Sequence, residues 1–227
     1  MNSPKFVVAI DGLAASGKSA IALALSRHFS LERLDSGSFY RFVTFFFLER
    51  GIDWRKEDSL ENGLRLLQFD YRPPDHFFEG KPVTPFLRSP QVERWVSEVS
   101  RIPRVREKVN QFIREYSSGK RMVVEGRDIG SVVFPRAQVK IFLTASEEVR
   151  AKRRALQNKK LNLPSSEEEA RKTIKLRDSI DSTRPVAPAV PAPDALIIDT
   201  SSLDFEQVLK KVMEITKERL EECSQKY

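Results

Sequence analysis

The stretch KFVVAIDGLAASGKSAIALALSR, residues 5–27, decides how the rest of the chain is read. Lys5 to Asp11 is a short apolar run carrying valine and isoleucine, the composition of a buried strand, and Ser19 to Arg27 is rich in helix formers. Between them lies Gly12-Leu13-Ala14-Ala15-Ser16-Gly17-Lys18-Ser19, two glycines five apart followed by lysine and serine. A strand, such a loop and then a helix make a phosphate-binding loop: backbone N–H groups and the helix N-terminus converge on phosphate oxygens. Lys18 is placed to neutralise the outer phosphates, and the Ser19 hydroxyl to reach Mg²⁺. A glycine turn with a surface lysine would not require this context.

Working outward, strands and helices alternate. Leu31 to Asp35, Arg121 to Glu125, Val139 to Thr144 and Ala195 to Asp199 are further strand candidates. Helical stretches at 104–117, 146–158, 166–182 and 203–223 separate most of them, the last with Phe205, Val208, Leu209, Val212 and Ile215 on one face. This order predicts an α/β fold with a parallel sheet covered on both faces. Between about 68 and 90 the pattern breaks into loops or short hairpin strands, and Pro185 to Pro193 is an extended, proline-fixed connection into the fifth strand.

Composition bounds the function. The 227 residues, 40% hydrophobic and 31% charged, suit one α/β domain, alone or with insertions. The single cysteine, Cys223, cannot pair within the chain, so the expected compartment is a reducing cytoplasm. The apolar runs near the N-terminus and at Val43 to Leu48 are too short for a signal peptide or a membrane span. A net charge of +7 suits an anionic partner without choosing between nucleic acid and a small phosphate ligand.

Three charged motifs remain. In MVVEGRDIGSVVFP, residues 122–135, apolar runs flank Glu125, Arg127 and Asp128. If residues 121–125 are a central strand, these charges emerge beside the phosphate loop and line a site, with Glu125 near the Mg²⁺ position. A structural Arg-Asp pair would desolvate three charges for no return. In LDSGSFYR, residues 34–41, Ser36 and Gly37 offer donors, Arg41 a fork and Tyr40 a flat ring at the carboxyl edge of the sheet; read alone, a helix cap with a surface arginine fits as well. Arg177, Asp181 and Arg184 fall at i, i+4 and i+7, so a helix turns them to one side, and spacing alone favours a solvated, salt-bridged face. The same bland reading stays open for Arg150, Lys152, Arg153 and Arg154.

Together AIDGLAASGKS, LDSGSFYR, EGRDIGSVVFP, RDSIDSTRP and VAPAVPAPDALIIDT resemble bacterial cytidylate kinase (CMP kinase), of the P-loop nucleoside monophosphate kinase group, over nearly the whole chain. The resemblance implies one P-loop kinase domain over 1–227 with a five-stranded parallel sheet flanked by helices, an NMP-binding insertion around 62–100 and a mobile lid around 153–170. It implies ATP with Mg²⁺ as donor, CMP and dCMP as acceptors, and a monomer. Carried over, Gly12 to Ser19 would bind ATP and Ser19 the metal. Ser36, Gly37, Arg41, Arg127 and Arg184 would meet the acceptor phosphate, Lys18, Arg127 and Arg184 being the catalytic cations. Arg177 and Asp181 would hold the sugar, and Ser97, Arg106 and Asp128 the cytosine, with Ser97 and Arg106 placed by LRSPQVERWVSEVSRIPRVR; Tyr40 would pack on the base. Two residues depart from the family pattern: Ala15 stands where a loop glycine is usual, and Ile180 where relatives often carry arginine.

The chemistry agrees with the residue types. The acceptor is already an oxyanion, so the barrier is repulsion between two polyanions, which arginines and Mg²⁺ offset. No histidine is needed, so His28 and His76 read as structural or surface residues. Asp128 suits the cytosine amine and Arg106 its O2 and N3, a pattern that uracil partly reverses. The alternatives are a P-loop kinase acting on UMP or a small metabolite, and a basic nucleic-acid-binding protein, for which no arginine-aromatic platform is evident. No nucleic-acid or membrane partner is expected.

Overall fold

A computed structural model describes residues 3–160, 166–184 and 186–224. Pro185, and residues 161–165 of the expected lid, lie outside that range. In chain order the elements are β1 (Phe6–Gly12), α1 (Lys18–His28), β2 (Glu32–Asp35), α2 (Ser36–Glu49), α3 (Glu57–Leu66), β3 (Asp70–Arg72), β4 (Asp75–Phe78) and β5 (Lys81–Pro82). After a 3₁₀ turn at Thr84–Arg88 come α4 (Pro90–Val99), α5 (Pro103–Tyr116) and β6 (Arg121–Glu125). A π-helical turn at Ile129–Val133 leads to β7 (Val139–Thr144), α6 (Glu147–Lys160), α7 (Glu167–Thr183), β8 (Leu196–Asp199) and α8 (Phe205–Ser224). The chain divides into two compact units, one of residues up to 34 and from 117 onward, the other of residues 35–116.

Among the described residues five strands form the main sheet in the order β2-β6-β1-β7-β8, with β1 parallel to both β6 and β7, and β7 parallel to β8. Every residue of β1 is buried, as the apolar run from Phe6 to Ile10 requires of a central strand. Phe6, Val8 and Ile10 pack with Ile21, Ala22 and Leu25 of α1 and with Val208 and Val212 of α8. The expected apolar face of α8 is corrected at one end: Phe205, in the first turn, is 44% exposed, and the face starts at Val208. No described helix is long and apolar enough to cross a membrane.

The second unit is built on α2, whose sequence SGSFYRFVTFFFLE is apolar nearly all round. Such a helix must be covered on most sides. Phe39 contacts Phe69, Tyr71, His76 and Phe112, with ring centroids 4.7–5.6 Å apart. Residues 68–90 supply part of that cover as a three-stranded antiparallel sheet, β3-β4-β5, in line with the expected hairpin strands. The unit spans 35–116, and so includes α2 and α5 as well as the 62–100 stretch.

Candidate active site

The phosphate loop is fastened to the sheet by a residue without a side chain. Gly12 has φ 146°, and a Cβ there would lie 2.0 Å from the Leu143 carbonyl oxygen of β7. The next N–H, of Leu13, donates to that same oxygen at 3.2 Å. Gly17, with φ 99°, caps α1 from the left-handed region. Ala15 also has a positive φ, 59°. Lys18 is buried and folds back so that Nζ donates to the Leu13 carbonyl at 2.6 Å. Burial, and then the nearby Arg127 cation, hold its pKa well below the ordinary lysine value. Ser16 Oγ is buried and makes no hydrogen bond among the described residues, a polar atom suited to a phosphate oxygen.

The charges at the end of β6 are accounted for at this mouth. Glu125, 2% exposed, accepts from Ser19 Oγ at 2.5 Å through Oε2. Its other oxygen accepts from Arg33 Nε and Nη2 at 3.1 and 2.6 Å. Arg127 Nε donates to Asp181 Oδ2 at 3.0 Å, and Arg184 Nη2 to Asp128 Oδ1 at 3.2 Å, with Arg184 Nη1 3.7 Å from Asp181 Oδ1. Spacing alone favoured a solvated face on α7; the structure overturns that, since Asp181 and Arg184 are 6% and 4% exposed. Burial pushes the Asp181 carboxyl up, but the cations Arg127, Arg177 and Arg184 outweigh it and hold the pKa below its ordinary value. Arg177 is half-buried, and its charge is felt by both Lys18 and Asp181.

Several residues here escaped the sequence reading. Asp11, at the end of β1, accepts from the Ile129 and Gly130 amides at 2.8 and 2.7 Å, and burial raises its pKa to about 6. Its only sequence signal is an acid closing an apolar strand. Asp178 lies inside the RDSIDSTR block, next to residues that were singled out, and reaches the loop at Ala14. The basic run on α6 resolves by helix geometry: Arg150 is buried, Arg153 donates to the Thr200 hydroxyl and carbonyl at 2.8 and 2.9 Å, and Lys152 is exposed.

In the second unit, Asp35 caps α2 by accepting from the Gly37 amide at 2.9 Å, and Ser36 is buried beside it. A Cβ on Gly37 would lie 3.0 Å from Arg41 Nη1, so the bare glycine gives the guanidinium room. Arg41, 6% exposed, donates through Nε to Glu93 of α4 at 2.8 Å. The Arg106 guanidinium carbon is 5.3 Å from the centre of the Tyr40 ring, a cation-π contact, while Tyr40 OH donates to Asn110 Oδ1 at 3.4 Å. Arg106 Nη1 also donates to the Ser100 carbonyl at 3.1 Å. Ser97 is half-buried on α4, where its carbonyl accepts from Ser100 Oγ at 3.2 Å; among the described residues no hydrogen bond joins it to Tyr40 or Arg106.

His76 is buried, and its place is structural. Ser38 Oγ donates to the Asp35 carbonyl at 2.7 Å, so the 2.8 Å contact with His76 Nε2 is one in which the imidazole donates. The ring lies against Phe42 at 5.4 Å, and burial lowers its pKa to about 4. The imidazole therefore braces the start of α2, where Ser36, Gly37 and Arg41 sit.

The Ser19 hydroxyl and the Glu125 carboxylate are hard oxygen donors in contact with each other, which fits Mg²⁺ when phosphate oxygens complete the shell. Among the described residues no three His, Cys, Asp or Glu gather into a self-contained metal centre, and an ion held chiefly by nucleotide needs none.

Comparison with known proteins bears on the family of the whole chain. A family model described as cytidylate kinase matches residues 8–218. A cytidylate kinase of Thermotoga neapolitana is 41% identical over 216 residues, covering 95% of this chain and 98% of its own. One from Anoxybacillus flavithermus is 42% identical over 221 residues, and one from Mycobacterium avium 42% over 224, each alignment covering 96% of this chain and 98% of the relative. With a phosphate loop at the end of its central strand and a match running almost end to end, this chain belongs to the cytidylate kinase family.

Proposed function

We propose that the protein transfers the γ-phosphoryl group of ATP to CMP and dCMP, forming ADP with CDP or dCDP. A phosphate oxygen of the acceptor bonds to the γ-phosphorus as the bond to the β,γ-bridging oxygen breaks, and no proton need be removed from the nucleophile. The observation that carries this reading is the ionic quartet of a half-buried Arg127 with buried Asp181, Arg184 and Asp128, in the same unit as Lys18 and its loop. Burying one arginine and two carboxylates against a half-buried second arginine is a weak route to stability, so a function for them is the better account.

In this reading the loop from Gly12 to Ser19 holds the ATP phosphates, and Lys18 offsets charge on the outer ones. Ser19 would hold Mg²⁺, with Glu125 and its Arg33 partner orienting the hydroxyl; the ion would shield the donor phosphates. Ser36, Gly37, Arg41, Arg127 and Arg184 receive the acceptor phosphate, and Arg177 and Asp181 the sugar. Ser97, Arg106 and Asp128 read the cytosine edge, with Tyr40 packing on the base. Residues 62–100 act as the acceptor-binding insertion and 153–170 as a lid that excludes water. A monomer in the cytoplasm, with no nucleic-acid partner, suits this chemistry.

One coupled assay tests the proposal: ATP and Mg²⁺ with CMP, dCMP, UMP or AMP in parallel. CMP and dCMP should dominate. Use of UMP equal to CMP would replace the cytosine assignment with another acceptor, and salt-sensitive RNA binding without CDP formation would replace the kinase reading altogether.

A further inference from the structure

Ala15 is the anomalous residue of the phosphate loop. Its φ of 59° is left-handed, a region where a Cβ crowds the following carbonyl and glycine sits freely. A residue keeps such a conformation when its surroundings over-determine it. The preceding residue shows how. Ala14 N–H donates to Asp178 Oδ1 at 3.0 Å, and the Ala14 carbonyl accepts from Arg150 Nη1 at 3.2 Å. Arg150 and Asp178 pair with each other through Nη1 and Oδ2, and Arg150 Nε is anchored on the Ala145 carbonyl at 3.0 Å. One ion pair thus grips both backbone polar groups of residue 14, with its two members on α6 and α7. The two side chains are only 8% and 15% exposed, so solvent screens the pair far less than a surface bridge.

We infer that the Arg150–Asp178 pair is a positioning clamp: it fixes Ala14 so that Ala15 stays left-handed and the phosphate loop keeps its shape without a glycine at that point. Neither residue has a part in the phosphoryl chemistry described above. The inference rests on the proposed ATP site only for its functional consequence. Its signature is dependence between distant positions, because a glycine at 15 would hold the loop shape with little help from the clamp.

The test is a cycle of four proteins: the unaltered chain, Asp178→Ala, Ala15→Gly and the double variant. ATP affinity is measured by titration without acceptor, KM values for ATP and CMP by steady-state assay, and the unfolding midpoint without nucleotide. Loss of a hydrogen bond to a charged acceptor should weaken ATP binding about tenfold in the alanine background. In the glycine background the same substitution should cost roughly threefold or less, with the unfolding midpoints showing the same interdependence. KM for CMP should move much less than KM for ATP. Equal costs of Asp178→Ala in both backgrounds, or an equal rise in both KM values, overturn the clamp. If Asp178→Ala fails to fold, Asp178→Asn takes its place in the cycle, since it removes the charge facing Arg150 at nearly the same shape. Should the unaltered protein bind no ATP, the proposed function falls while the unfolding midpoints still decide the clamp.

Discussion

The two units fix their arginines by different means. Around the phosphate loop, Arg127 and Arg184 face Asp181 and Asp128 in a largely buried ionic quartet, and Glu125 is shared between Ser19 and Arg33. In the second unit polar groups lean on rings: Arg106 lies over Tyr40, and the start of α2 is braced by a histidine set among phenylalanines. The first arrangement holds cations by charge, with hydrogen-bond geometry setting direction; the second adds ring contacts to its carboxylate pairs, among which Glu93 aims Arg41. The difference extends to proton uptake. Asp11 in the first unit is a buried acid with its pKa raised to about 6, and His76 in the second is a buried base with its pKa lowered to about 4.

Breaking the charge-held side should have the largest effect. Under the proposed reading Lys18→Met removes a cation that offsets charge on the outer phosphates, and kcat should fall by about a thousandfold or more with the fold intact by circular dichroism. Arg184→Ala and Arg41→Ala should each lower kcat/KM for CMP by roughly a hundredfold while ATP affinity changes little. Titrations of ATP and CMP check this, and collapse of ATP affinity with CMP affinity intact would reverse the allocation of the two sites. Asp128→Ala should erode the preference for CMP over UMP by about tenfold or more, read from the ratio of kcat/KM values; an unchanged ratio would remove Asp128 from base recognition.

The smallest effect sharpens the contrast between the buried acid and base. As pH falls from about 6.5 the unfolded chain protonates its histidine first, so the stability linked to His76 is full above that pH and drains away toward 4. Over that window the loss amounts to about 3 kcal/mol at most. Asp11 acts with the opposite sign: burying it as an anion costs stability at neutral pH, and the cost fades as pH drops through 6. The two partly cancel between pH 6 and 4. His76→Gln should therefore show a smaller loss, or even a gain, in urea midpoint between pH 7 and pH 5 relative to the unaltered chain. Parallel pH dependence in the two proteins would remove His76 from the balance.

The strand framework was legible because β6 and β7 run where their apolar residues do, at 121–125 and 139–144. The loop was legible because its glycines perform a backbone task that sequence shows directly. What escaped is partnership. Periodicity said that Arg177, Asp181 and Arg184 share a side of α7, but not what covers that side, so the solvated reading failed. Asp178 finds Ala14 across 164 positions and Glu125 finds Ser19 across 106, separations over which no local pattern carries information. His76 was read as a structural or surface residue, and the structural half of that reading is the one its burial supports. Phe205 misled for the opposite reason, since helix ends are where a sound periodic pattern meets solvent.

The quartet around Arg184 has a further consequence for how an anion arrives. Guanidinium groups already saturated by carboxylates cast little field beyond their own neighbourhood, whatever the total of +7 on the chain. Under the proposed reading, an incoming phosphate swaps places with an internal carboxylate instead of dropping into an open well of potential. Encounter rates should then respond only gently to ionic strength, and the departing diphosphate is not trapped by the groups that received it.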